Sequence, residues 1–199
     1  MIMRRLMGAG KLYLLCDRFG SNVPAGAVDG TRSTPGPGDI GPQSLRTAID
    51  TSSKESISGG EMILAAGGAY GDPGTVYEAI ARKAGILLLA QVKGTTGAAS
   101  EYMVGFDSDL LLTVWPRSAF YANAGGGMAI VDNGAQVNLK EVTIAANVIW
   151  QMAIWLRATG AFYILRGDTL TDFTLVRVSS RDATTPLYHS SLVLRQKRG

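Results

Sequence analysis

Val148–Leu165 reads VIWQMAIWLRATGAFYIL, and its pattern decides the fold class. Trp150, Met152, Ile154 and Leu156 alternate with Ile149, Gln151, Ala153 and Trp155. Successive side chains of a strand point to opposite faces, so this strand carries two largely apolar faces. Thr159-Gly160 is turn chemistry, and Phe162, Tyr163, Ile164 and Leu165 make a returning strand. The two tryptophans have opposite parity. One of them faces the main core, and the other needs cover from a second layer, a long loop or a partner subunit. The pair reads as the central hairpin of a layered β structure.

Downstream and upstream the same signals recur. Met128–Val131 and Ala135–Leu139 flank Asp132-Asn133-Gly134, and Asn-Gly between apolar runs is the strongest short-range hairpin signal. Gly85–Val92, GILLLAQV, reads as a strong buried strand. Glu101–Phe106, Leu110–Trp115, Ala119–Ala122, Val142–Ala146, Phe173–Val178 and Pro186–Leu194 are further short strands. Near the start, Lys11–Phe19 reads as a strand, and Gly59-Gly60 turns the chain into another at Glu61–Ala65. Thr75–Lys83 fits a helix or a strand and is taken as a strand because its neighbours are strands. Ser44–Thr51 fits a helical turn or a short strand. Roughly a dozen strands at short spacing predict an all-β, antiparallel sandwich. No βαβ alternation points to a parallel sheet, and no internal repeat points to a propeller or solenoid.

The expected organisation is an N-terminal arm over 1–10, one β-sandwich domain over 11–194 and a basic tail over 195–199. Within the domain, 20–43 holds Pro24, Pro35, Pro37 and Pro42 among several glycines and reads as a long loop. It is either an ordered surface excursion or an arm that lies on a neighbour. At 199 residues, 46% hydrophobic and 18% charged, the chain suits a single domain with a substantial core. A net charge of +3, with basic residues scattered apart from Arg4-Arg5 and Arg195, Lys197 and Arg198, does not suggest a nucleic-acid partner. Lys11 interrupts the apolar start, so no cleaved signal peptide is expected, and no apolar run reaches the roughly 20 residues of a membrane span.

Catalytic signatures are missing. Gly8-Ala9-Gly10-Lys11 is followed by Leu12 and lacks the phosphate-loop spacing, and no GxSxG elbow occurs. Cys16 and His189 are single residues of their kind, so neither a disulfide nor a multi-Cys or multi-His metal site forms within one chain. Glu55, Glu61, Glu78, Glu101 and Glu141 are well separated, which does not suggest the paired carboxylates of a glycosidase. Asp107 and Asp109 could serve as a Ca²⁺ ligand pair, but a polar turn between Phe106 and Leu110 is the favoured reading, because a Ca²⁺ site needs several further oxygens. Trp115, Tyr121, Trp155 and Tyr188 are the aromatics proposed to stack on a sugar, with core packing as the ordinary alternative.

WQMAIWLRATGAFYILRG over 150–167, followed by FTLVRVSS over 173–180, resembles the late strands of concanavalin A-like or laminin-G-like jelly-roll modules. GFDSD over 105–109 is similar to a stretch of such modules, and LYLLCDRFGSN over 12–22 is similar to their beginning. The resemblance implies a jelly-roll β-sandwich of the kind found in bacteriophage virion and bacterial surface proteins. It does not carry the Glu-x-Asp-x-(x)-Glu strand of the family's glycosidases, nor a clear lectin-type Ca²⁺ loop. The expectation is therefore a non-enzymatic structural or assembly protein, a homo-oligomer or a subunit among others, in a virion or on an extracellular surface. It has no cofactor beyond the Ca²⁺ considered at Asp107 and Asp109. The alternative is a carbohydrate-binding module. A hydrolase built on His189 or on Asp107 and Asp109 ranks last.

Overall fold

The computed structural model describes residues 17–36, 43–65, 73–77, 85–94, 101–107, 118–123, 126–132, 134–157, 160–179 and 191–197. Among them every regular element is a strand: β1 Arg46–Ile49, β2 Glu55–Ser58, β3 Glu61–Leu64, β4 Gly74–Tyr77, β5 Leu87–Lys93, β6 Glu101–Asp107, β7 Ser118–Ala122, β8 Gly127–Asp132, β9 Ala135–Thr143, β10 Ile149–Arg157, β11 Gly160–Gly167, β12 Leu170–Ser179 and β13 Ser191–Lys197. All pairings are antiparallel. A seven-stranded sheet runs β1-β4-β13-β6-β7-β8-β9, a four-stranded sheet runs β12-β11-β10-β5, and β2-β3 stand as a separate pair. Among the described residues no helix is long and apolar enough to cross a membrane.

The core lies between the two larger sheets. The even-numbered residues of β10, Trp150, Met152, Ile154 and Leu156, meet Tyr102, Val104, Phe106, Phe120, Met128 and Ile130 of the facing sheet. Phe120 and Tyr163 pack edge to face across the gap, 5.6 Å between centroids. The buried Tyr163 hydroxyl donates to the Val131 carbonyl at 3.0 Å, and Ser179 Oγ donates to Asp132 Oδ1 at 2.5 Å. These polar links tie the sheets together inside an apolar layer, where an unmade hydrogen bond is costly.

Local chemistry explains several boundaries. Gly59 and Gly60 both have positive φ, 60° and 81°, between the paired Ser58 and Glu61, the backbone that a two-residue hairpin with strand-matching twist requires. Arg157 pairs with Gly160, so only 158 and 159 separate β10 from β11 and Gly160 already belongs to the strand. β9, Ala135–Thr143, joins most of the stretch that reads as two strands, Ala135–Leu139 and Val142–Ala146: its pairing with β8 breaks register between Asn138 and Thr143, and the strand ends at Thr143. Ser44–Thr51 resolves to the strand β1. Gly85–Val92 gives the strand β5, which ends its sheet and is only partly buried: Leu88 is buried, and Gln91 and Lys93 are exposed. Arg195 and Lys197, expected in a basic tail, lie in β13, paired with Met103 and Glu101. Of the expected strand Lys11–Phe19, Asp17–Phe19 are described and are not strand; the expected strand Leu110–Trp115 and the arm 1–10 lie outside the described residues.

The long loop, described over 20–36 and at Gln43, packs on β1 and β2. Val23 and Ile57 exchange backbone hydrogen bonds of 2.8 and 2.9 Å, and Ser33 N donates to Ser44 O at 2.8 Å. Asp17 anchors its base. The Asp17 carboxylate accepts from Arg46 Nε at 2.7 Å and Nη2 at 2.8 Å, from the Tyr77 hydroxyl at 2.7 Å, and from the backbone N–H groups of Phe19 and Thr34. Asp17 and Arg46 are both buried, and such a pair is stable only with this number of satisfying donors. Burial first, and then the charge of Asp17, push the Tyr77 phenol well above its ordinary range, so it stays a donor.

Candidate functional site

The odd-numbered residues of β10 point away from the other sheet: Ala153 is buried there, Gln151 half-buried, and Ile149, Trp155 and Arg157 are exposed. Strand pairing places them in rows across the outer face of the four-stranded sheet, because directly opposed residues share a face. One row runs Leu87, Trp155, Phe162, Val178. The next runs Leu89, Ala153, Ile164, Leu175. Trp155 is 41% exposed, Leu175 52% and Val178 54%, and Ile149 and Phe173 extend the exposed apolar surface. With strands about 4.8 Å apart and about 3.3 Å per residue along them, the two apolar rows cover roughly 250 Å², and the polar row Gln91, Gln151, Arg166 borders them on the same face. That is roughly a third of one partner's share, about 800 Å², of a standard interface.

Cations flank the apolar rows. The Arg157 guanidinium lies 4.7 Å from the Phe162 ring centroid and 5.7 Å from that of Trp155, and the two rings meet edge to face at 5.6 Å. Arg166 lies 5.8 Å from the Phe173 centroid. Each cation faces a π surface. At the Arg166 end a shallow cleft of about 420 Å³ opens between Ile149, Gln151, Arg166 and Asp168.

The residues expected to act divide sharply. Trp155 meets the requirement of an exposed aromatic. Tyr121 does not: it is buried in β7, and its hydroxyl donates to the buried Glu101 carboxylate at 2.7 Å. It belongs to an apolar cluster with Met103, Ala119, Ala129 and Val131 on the outer face of the seven-stranded sheet. Asp107 is the last residue of β6, while Trp115, Asp109, Tyr188 and His189 lie outside the described residues. Among the described residues no group of three or more His, Cys, Asp or Glu side chains is placed to hold a metal ion. The long loop, as far as it is described, makes its backbone hydrogen bonds to 44, 46, 55 and 57 and leaves Trp155 exposed. Phe162, Phe173, Leu175, Val178, Arg157 and Arg166 are site residues that sequence reading missed. The alternation of Phe162 and Ile164 against Tyr163 and Leu165 was the available signal for the first row.

No family model matches the chain, and no curated protein matches it.

Proposed function

We propose that the chain is a non-enzymatic structural or assembly subunit, which buries the outer face of its four-stranded sheet against a second copy of itself. The observation that carries this reading is the pair of apolar rows, Leu87-Trp155-Phe162-Val178 and Leu89-Ala153-Ile164-Leu175, left open on a sheet whose other face is core. An open apolar centre rimmed by arginines has the composition of a subunit interface, where aromatic residues and Arg are enriched and charge is kept to the rim. The resemblance to jelly-roll modules is the ground for placing this assembly in a bacteriophage particle or on an extracellular surface. Light scattering of the purified chain tests the reading. A defined oligomer that Trp155→Glu converts to a folded monomer supports it; a strictly monomeric wild-type chain at high concentration contradicts it.

A second reading has one observation in its favour. Trp155, Phe162 and Arg157 combine an exposed indole, a neighbouring ring and a hydrogen-bond donor, the parts of a sugar-stacking platform. It predicts binding on a glycan array that Trp155→Ala abolishes. An array without hits, with and without Ca²⁺, removes it.

A further inference from the structure

The β2-β3 hairpin belongs to neither large sheet. Its backbone is tied to the long loop: Val23 pairs with Ile57, and Gly26 N donates to Glu55 O at 3.1 Å. A side chain joins it to the seven-stranded sheet. Glu55, the first residue of β2, is fully buried, and its Oε1 accepts a hydrogen bond from Thr75 Oγ1 of β4, also fully buried. The other carboxyl oxygen, Oε2, is buried without a hydrogen-bond partner.

Burial and two acidic neighbours favour the neutral form of this carboxyl, against the Thr75 hydrogen bond and Arg46, which favour the ionised form. The loop contributes Asp29, and the turn before β2 contributes Asp50, whose carboxylate accepts from the backbone N–H groups of Lys54 and Glu55 at 2.6 and 2.8 Å. β1 contributes Arg46, whose guanidinium is engaged by Asp17 at 2.7 and 2.8 Å and by Thr31 at 2.9 Å. β4 contributes the Thr75 hydroxyl. An ionised Glu55 thus has one donor, two acidic neighbours and one cation already bound elsewhere, inside a buried site. A neutral Glu55 keeps the Thr75 bond and carries no charge to compensate.

We propose that Glu55 and Thr75 form a proton-controlled latch: the neutral carboxyl fastens the β2-β3 hairpin and its loop to β4, and ionisation loosens them. Burial is the largest cause that raises the Glu55 carboxyl, to about 7, which puts the switch within the ordinary range of biological pH.

Hydrogen–deuterium exchange of the full chain tests this, with rates corrected for the intrinsic pH dependence of exchange. Between about pH 5.5 and about pH 8.5, protection of the β2-β3 amides is expected to fall roughly ten-fold or more, while β6, β7 and β8 keep theirs. Glu55→Gln, neutral at every pH, is expected to show no such fall. Protection that is flat with pH in the wild type, or that falls equally in Glu55→Gln, overturns the latch. A ¹³C carboxyl titration of the unmutated chain provides a reading that needs no variant. A Glu55 midpoint near 7 supports the proposal, and a midpoint at the ordinary value of 4.5 overturns it.

Discussion

Both large sheets carry apolar residues on their outer faces, yet the two faces meet different fates. On the seven-stranded sheet Met103, Ala119, Tyr121, Ala129 and Val131 are all buried, and the Tyr121 hydroxyl satisfies a buried carboxylate. On the four-stranded sheet Ile149, Trp155, Phe173, Leu175 and Val178 are exposed, and their polar company is Arg157, Arg166 and the glutamines Gln91 and Gln151. The first face is closed within the chain; the second is open. An apolar alternation on both sides of a strand thus establishes that two covers are needed, and leaves open whether the chain supplies both. The two tryptophans of β10 carry the same lesson within one strand, since Trp150 is 1% exposed and Trp155 41%.

The difference can be broken at several points. Trp150→Ala removes a core side chain and is expected to cost about 3–5 kcal/mol in urea denaturation; a loss below about 1 kcal/mol would mean the inner layer is not the core. The pH dependence of stability comes next. The Glu55 carboxyl is raised in the folded state, from 4.5 to about 7, so its contribution favours folding below about 4.5, is lost as pH rises through that window, and levels off above 7. The size of that loss is on the order of 3 kcal/mol. The two rows of the open face are apolar, so association through them should show no matching dependence; a parallel pH profile for both would erase the distinction.

Gly167→Ala acts on the closed side of the same sheet. Gly167 has φ 152°, and an added Cβ would lie 2.5 Å from the Trp150 ring. A loss of about 1–3 kcal/mol is expected from the forced shift, read by the same denaturation. Tyr121→Phe withdraws a donor from the buried Glu101 and is expected to cost about 1–2 kcal/mol. The smallest effect on stability falls on the open face: Trp155→Ala and Leu175→Ser are expected to stay within about 0.5–1 kcal/mol of wild type. If Trp155→Ala costs as much as Trp150→Ala, the open face is not open.

Much of the architecture was legible in the chain. The alternation over 149–156, the Asp132-Asn133-Gly134 turn and the Gly59-Gly60 turn all lead to antiparallel pairing where the strands occur. The opposite parity of Trp150 and Trp155 also showed that one of the two lies off the main core, without saying which. The full open face was not legible, for a specific reason. Strict alternation places Leu175 and Val178 on opposite faces of β12, but the register shifts between Tyr163 and Ile164, so Leu175 opposes Ile164 while Val178 opposes Phe162. That irregularity returns Val178 to the same face as Leu175, and no residue type in β12 announces it. Tyr121 failed as a binding candidate because its fate depends on Glu101, a partner twenty residues away on the neighbouring strand. The latch was hidden for the same reason: Glu55 and Thr75 lie far apart in sequence, and a lone glutamate in a strand carries no mark of burial.

Hydroxyl-radical footprinting over a dilution series tests the central claim most directly, because it reads both outer faces in one sample. If the open face is a subunit interface, oxidation of Trp155 and Phe173 falls as concentration rises, while Met103 and Tyr121 stay protected at every dilution. Equal oxidation of Trp155 across the whole series, dilute to concentrated, would contradict it.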